Sequence, residues 1–143
     1  MPQTLFQLDA RLAEESVLAA ELPLCLALLR NDRAYPWLVL VPRRAGAREL
    51  HDLSSADQAL LMGEVTLAGR VLAGLFAPDK INTGALGNIV PQLHVHVVAR
   101  TTGDPAWPGP VWGHAPRQPY GPEELEQRRA NIGQALRQGM EEK

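Results

Sequence analysis

Residues 92–98 read Gln-Leu-His-Val-His-Val-Val, and the first six alternate strictly between polar and apolar side chains. Successive side chains of a β-strand point to opposite faces. The alternation therefore predicts a strand with Leu93, Val95 and Val97 against a core. Gln92, His94 and His96 would then form a row on the accessible side. Such a strand needs further strands beside it and a second layer over its apolar face. Two strand-length apolar runs precede it, 24–30 (LCLALLR) and 37–42 (WLVLVP). The intervening NDRAYP holds Asn31, Asp32 and Pro36, which favour a turn, so the runs are read as an antiparallel pair. Their near-continuous apolarity predicts that both faces are at least partly covered.

Three helical segments are expected around these strands. Residues 8–22 (LDARLAEESVLAAEL) are rich in helix formers and closed off by Pro23. A second helix starts at a capping box of Ser55 and Gln58 and carries an apolar stripe of Leu61, Val65, Ala68, Leu72 and Leu75, ending before Pro78. Asp57 and Glu64 near its start and Arg70 near its end suit the helix dipole. Residues 80–99 hold two strands joined through Gly84, Gly87 and Asn88. Residues 101–121 are rich in Pro and Gly without any period, yet they carry Trp107 and Trp112, which argues for an ordered loop packed on something. Pro122, Glu123 and Glu124 open a last helix, about 122–138, with Leu125, Ile132 and Leu136 on one side. The order fits an α+β fold, an antiparallel sheet with helices packed on it. The length suits a single domain spanning 1–143.

Composition narrows the function. Apolar residues make up 45% of the chain, enough for a packed core, and the net charge of −2 includes no basic block, against a duplex-binding surface. No uninterrupted apolar run approaches the ~18–20 residues of a membrane span, and the N-terminal residues lack a leader pattern, so a cytoplasmic protein without membrane contact is expected. Cys25 is the only cysteine, which rules out an intrachain disulfide and a C-x-x-C metal site.

The histidines carry the chemistry. Imidazoles two apart on one strand face can chelate a metal, with His51, His114 and Asp104 as further ligand candidates, none at a diagnostic spacing. The same pair can serve nucleophilic catalysis, or be incidental to a strand. By themselves His51 and His114 read as structural, and Trp37, Trp107 and Trp112 as packing residues.

The surrounding residues favour catalysis. The stretch from Asn82 to Arg100, N-x-G-x-x-G-N-x-V-P-Q-L-H-V-H-V-V-A-R, resembles the histidine triad (HIT) family, whose signature is His-φ-His-φ-His-φ-φ with φ apolar. Every position matches except the first histidine, replaced by Gln92. The resemblance runs over residues 24–100 and implies an antiparallel sheet of about five strands. It also implies a nucleotide phosphohydrolase or nucleotidyl transferase acting on the α-phosphate of a nucleotide conjugate. In that reading His94 attacks phosphorus, and a backbone carbonyl within the signature holds its other nitrogen as N–H. His96 donates to a non-bridging oxygen, helped by Asn88 or the N–H groups around Gly87. Asn82 would be a polar contact near the phosphate, and Asn31 and Asp32 would meet ribose or base. No metal or cofactor is implied, and the expected assembly is a homodimer. Gln92 can hydrogen-bond but cannot titrate, so if the first position moves a proton its replacement costs ~10²–10⁴ in rate. The alternative function is a nucleotide-binding protein with little or no catalysis.

Overall fold

The structure, a computed structural model, describes residues 5–142. The first four residues of the N-terminal stretch read against a leader, and Lys143 at the other end, lie outside the described residues. The elements in chain order are α1 (Ala10–Glu14), β1 (Ser16–Glu21), β2 (Cys25–Arg30), β3 (Trp37–Pro42), a 3-10 turn (Leu50–Asp52), α2 (Ser55–Phe76), β4 (Lys80–Gly84), β5 (Val95–Arg100) and α3 (Pro122–Glu141). All strand pairs are antiparallel, in the order β1-β2-β3-β5-β4. This is an α+β fold, an open five-stranded sheet with helices packed on it.

The helix expected over 8–22 is confined to one short turn. Asp9 caps it by accepting the Arg11 N–H at 2.8 Å. Residues Ser16–Glu21 instead pair with β2 as an edge strand, bulged between Leu18 and Ala20. Pairing and the burial of Ala19 and Ala20 outweigh the helix propensity of this alanine-rich stretch. Pro23 therefore marks a hairpin corner rather than a helix end. Glu64 of α2 holds that corner, its carboxylate accepting the N–H groups of Leu24 and Cys25, both at 2.8 Å.

The cap of α2 also differs by one residue. Ser54, extended at φ −61 and ψ 161, accepts the Asp57 N–H at 3.1 Å, while Ser55 is already helical. Leu61, Val65, Ala68 and Leu72 are buried as the stripe predicts, but Leu75 is 46% exposed. By length and composition α2 is apolar enough to cross a bilayer. Counting uninterrupted apolar runs missed this because Asp57, Glu64 and Arg70 break the run. In this fold its buried face meets β5 and α3.

Two cores flank the sheet. One, beneath α2 and α3, gathers Leu38 and Leu40 of β3 with Val95 and Val97 of β5. Within it α3 lies directly on β1, and a Cβ at Gly133 would run into the Ala19 carbonyl. Gly133→Ala is therefore expected to cost about 1–3 kcal/mol, read as a lower urea midpoint.

The second core lies on the other face and holds Trp37, Val39, Val98, Ala106 and Val111, with Phe6, Leu8 and Leu12 packed on it. Among the described residues no helix longer than α1 covers this face. The N-terminal segment and the 101–121 loop cover it instead. The loop is ordered by a buried ion pair: Arg100 is 1% exposed and meets Asp104 through two bonds of 2.7 and 3.0 Å. Asp104 also accepts the N–H groups of Thr101, Ala106 and Trp107 at 3.2, 3.1 and 2.8 Å.

Candidate active site

His94 stands just before β5 and His96 is the second residue of that strand. The ladder with β3 runs from Val95 to Val98, so the carbonyl of Gln92 lies outside it and keeps a lone pair free. That carbonyl lies 2.6 Å from His94 Nδ1. A carbonyl only accepts, so Nδ1 carries the proton and Nε2 presents a lone pair. His96 has the opposite tautomer. The Trp37 indole N–H donates to its Nδ1 at 2.9 Å, which puts the His96 proton on Nε2. The two rings lie 4.9 Å apart between centroids. One lone pair and one N–H donor therefore stand side by side.

The polar face expected to be accessible is roofed. His94 and His96 are only 6% and 7% exposed, because the N-terminal segment and the long loop close over them. Between these covers lies a cavity of about 560 Å³. His94 and His96 border it, together with Asp32 from the β2–β3 turn and Gly87 and Asn88 from the segment before β5. Arg11 and Glu15 enter from the N-terminal side, and Trp112 from the loop.

Burial, then the charges of His94 and Arg30, push the His96 imidazole down to about 3 from its ordinary 6.5. His96 is thus neutral throughout the physiological range. The unfolded imidazole gains its proton as pH falls through 6.5, whereas the folded one does not until about 3. The stability this group provides is complete above 6.5 and declines between those values, by up to about 1.4 kcal/mol per pH unit. Between pH 7.5 and 5.0 the wild type is expected to lose about 2 kcal/mol through this group. His96→Asn should lack that component in urea titrations at the two pH values.

Other residues read from the sequence lie elsewhere. Gln92 keeps its backbone at the site but turns its side chain to the N-terminal segment. Its Oε1 accepts the Asp9 N–H and its Nε2 donates to the Gln7 carbonyl, both at 2.8 Å. Asn82 accepts from Arg100 at 2.8 Å and supports the loop anchor. Asn31 accepts the Tyr120 N–H at 2.8 Å, tying the β2–β3 turn to the chain before α3. None of these three side chains borders the cavity. Asp32 does, although one of its oxygens already accepts the Ala34 N–H at 3.0 Å. His51 and His114 are exposed. Among the described residues no three His, Cys, Asp or Glu side chains gather as metal ligands, and Asp104 is committed to Arg100.

Sequence reasoning missed three contributors. Trp37 was read as packing, yet its N–H sets the tautomer of His96. Trp112 lies edge-on to His96 at 5.4 Å between centroids. Arg30 borders the cavity, pairs with Glu15 at 2.7 Å and lies 4.6 Å above the Trp37 ring. No spacing announces them, because residue 37 meets residue 96 only through the β3–β5 register.

The HIT domain family matches residues 11–103, which span all five strands. A curated relative, the AP-4-A phosphorylase of Mycobacterium tuberculosis, is 36% identical over 101 residues, covering 64% of this chain and 50% of its own length. This chain therefore spans about half the length of the curated relatives it matches. The crystal structure of a histidine triad protein from Sinorhizobium meliloti is 48% identical with a TM-score of 0.88, covering 91% of this chain and 96% of the other. A histidine triad protein from Marinobacter aquaeolei is 44% identical with a TM-score of 0.91, covering 94% and 98%. With the signature histidines at the mouth of β5 and this sheet around them, the chain belongs to the histidine triad family.

Proposed function

We propose that this chain is a nucleotidyl hydrolase or transferase that cleaves at the α-phosphate of a nucleotide conjugate through a nucleotidyl-His94 intermediate. One observation carries the reading: the Gln92 carbonyl holds Nδ1–H of His94 and leaves Nε2 nucleophilic beside a cavity of about 560 Å³. The substitution at position 92 leaves that contact intact, because the acceptor is main chain. His96 presents Nε2–H to a non-bridging oxygen, where negative charge grows as phosphorus is attacked. Asn88 and the backbone at Gly87 supply further donors, and Asp32 meets the ribose or base. Similarity to an AP-4-A phosphorylase supports a nucleotide as the substrate core.

The test is mass spectrometry of the intact protein after brief mixing with a panel of nucleotide conjugates, read for a nucleotidyl adduct on His94. Nucleotide binding without adduct or turnover would favour the binding-protein alternative. His96→Ala is expected to retain the adduct while slowing its formation by about 10²–10³, measured by rapid quench.

A two-fold dimer belongs to the same proposal. β2 and β3 are interior strands of the sheet, their hydrogen-bonding edges taken by their neighbours. The free edge of β4 is the candidate, since an unpaired edge is a liability unless covered. Light scattering at micromolar concentration is expected to report twice the chain mass, and a monomer would remove this part.

A further inference from the structure

The two covers over the histidines are fastened in different ways. The 101–121 loop is held at both ends. Near its start the buried Arg100–Asp104 pair shapes it. Near its end the Arg33 N–H donates to the Gln118 carbonyl at 2.7 Å, and Arg117 donates to the Asn31 carbonyl at 3.0 Å. Residues 5–15 are held more lightly. Each of them is exposed or half-buried, and their apolar side chains Phe6, Leu8 and Leu12 are only partly buried against the second core. Next to β1 the segment is fixed, since the Glu15 carbonyl accepts the Asn31 N–H at 2.8 Å and the Glu15 carboxylate meets Arg30 at 2.7 Å. Further out it is fastened by the Gln92 amide, which accepts the Asp9 N–H and donates to the Gln7 carbonyl. Arg11 adds a bond to the Ile89 carbonyl at 3.0 Å. The bonds to Gln7 and Ile89 are both exposed to solvent.

From this contrast we propose that residues 5–14 are a strap that swings about Glu15 and Ser16 to admit and release the nucleotide, with the Gln92 side chain as its clasp. Gln92 is then a positioning residue, acting through the strap on how long a ligand is held. The inference rests on the nucleotide reading above and adds how the site is entered.

The physical argument starts from burial. His94 and His96 are almost covered, so a nucleotide seated on His94 Nε2 is overhung by both covers. A segment with little buried apolar surface and solvent-exposed hydrogen bonds opens at a lower free energy than one anchored in the core. That segment is the strap. An amide suits the clasp because it carries a donor and an acceptor on one planar group. Here they meet the carbonyl and the N–H on either side of Leu8, as a neighbouring main chain would. When closed, the strap contributes Arg11, Leu12 and Glu15 to the cavity wall. A bound nucleotide therefore favours the closed strap, and the closed strap favours the nucleotide to the same extent. The main chain of the same residue holds Nδ1–H of His94 at 2.6 Å, so position 92 fastens the strap and orients the nucleophile with separate groups.

Hydrogen–deuterium exchange and stopped-flow binding of AMP and GMP to the full chain test this. In the wild type, residues 5–14 should exchange faster than the five strands and slow when either nucleotide is added. That measurement needs no variant to fold. Gln92→Met keeps the bulk of the side chain and removes both bonds. It should quicken exchange at 5–14 and raise the dissociation rate and Kd of the nucleotide about tenfold, the scale of two net hydrogen bonds. The first-order rate of adduct formation at saturation should change by less than that. Strap exchange indifferent to nucleotide, or wild-type release from Gln92→Met, would overturn the inference and leave the nucleotidyl-histidine reading in place. Exchange in Gln92→Met that quickens throughout the fold, rather than at 5–14, would overturn it as well. Failure of AMP, GMP and the whole panel of nucleotide conjugates to bind the wild type would overturn the nucleotide reading, and the inference with it.

Discussion

His94→Ala is expected to abolish the nucleotidyl adduct and to lower turnover by about 10⁴-fold or more, the scale on which enzymes lose activity when a nucleophile is removed. The size follows from the geometry. Among the described residues bordering the cavity, the other imidazole is His96, and its Nδ1 lone pair is occupied by the Trp37 N–H at 2.9 Å. Its Nε2 carries the proton, so it cannot take over the attack without changing tautomer inside its aromatic enclosure. Binding should survive the substitution, because Asp32, Asn88 and the aromatic walls are untouched. Single-turnover kinetics together with equilibrium titration of a nucleotide would separate the two effects. A rate like that of wild type in His94→Ala would end the nucleophile assignment.

The second large effect is on stability. Asp104→Ala is expected to cost about 3–5 kcal/mol, because it strands the buried Arg100 charge. The same change leaves the N–H groups of Thr101, Ala106 and Trp107 without the acceptor that shapes the loop. Arg100→Met removes the cation but keeps those turns, so it should cost less than Asp104→Ala. Calorimetry reads the order, and an equal or reversed order would show that the turns, not the ion pair, contribute little. The hydrogen bonds from Arg100, then the main-chain N–H groups, hold Asp104 below its ordinary 3.8. A carboxylate lowered in this way adds stability above 3.8 that is lost only as pH falls through its folded value. Mild acid should therefore unsettle the protein through His96 before it reaches this pair. Since Val111 and Trp112 reach the cavity from the same loop, loss of the anchor should also weaken nucleotide binding.

What the sequence determined by itself was the part written in local periods. The alternation at 92–97 placed Leu93, Val95 and Val97 in the core, and the stripe of α2 located Leu61, Val65, Ala68 and Leu72. The signature also brought the nucleophile candidate into view, since residue identity and spacing are what it records. Local propensity misled where long-range pairing prevailed: residues 16–21 favour helix as an isolated segment, yet they complete the sheet beside β2 and bury two alanines under α3. The rest was decided only by the tertiary structure. A roof over the histidines requires the chain ends of two distant segments to meet on one face. The tautomer of His96 depends on Trp37, which is 59 residues away and comes within 2.9 Å through the register of β3 on β5. Gln92 reads as a lost catalytic group in one dimension. In three dimensions its amide fastens residues 7 and 9, because a side chain beyond the end of a strand ladder pairs with whatever backbone the fold brings to it.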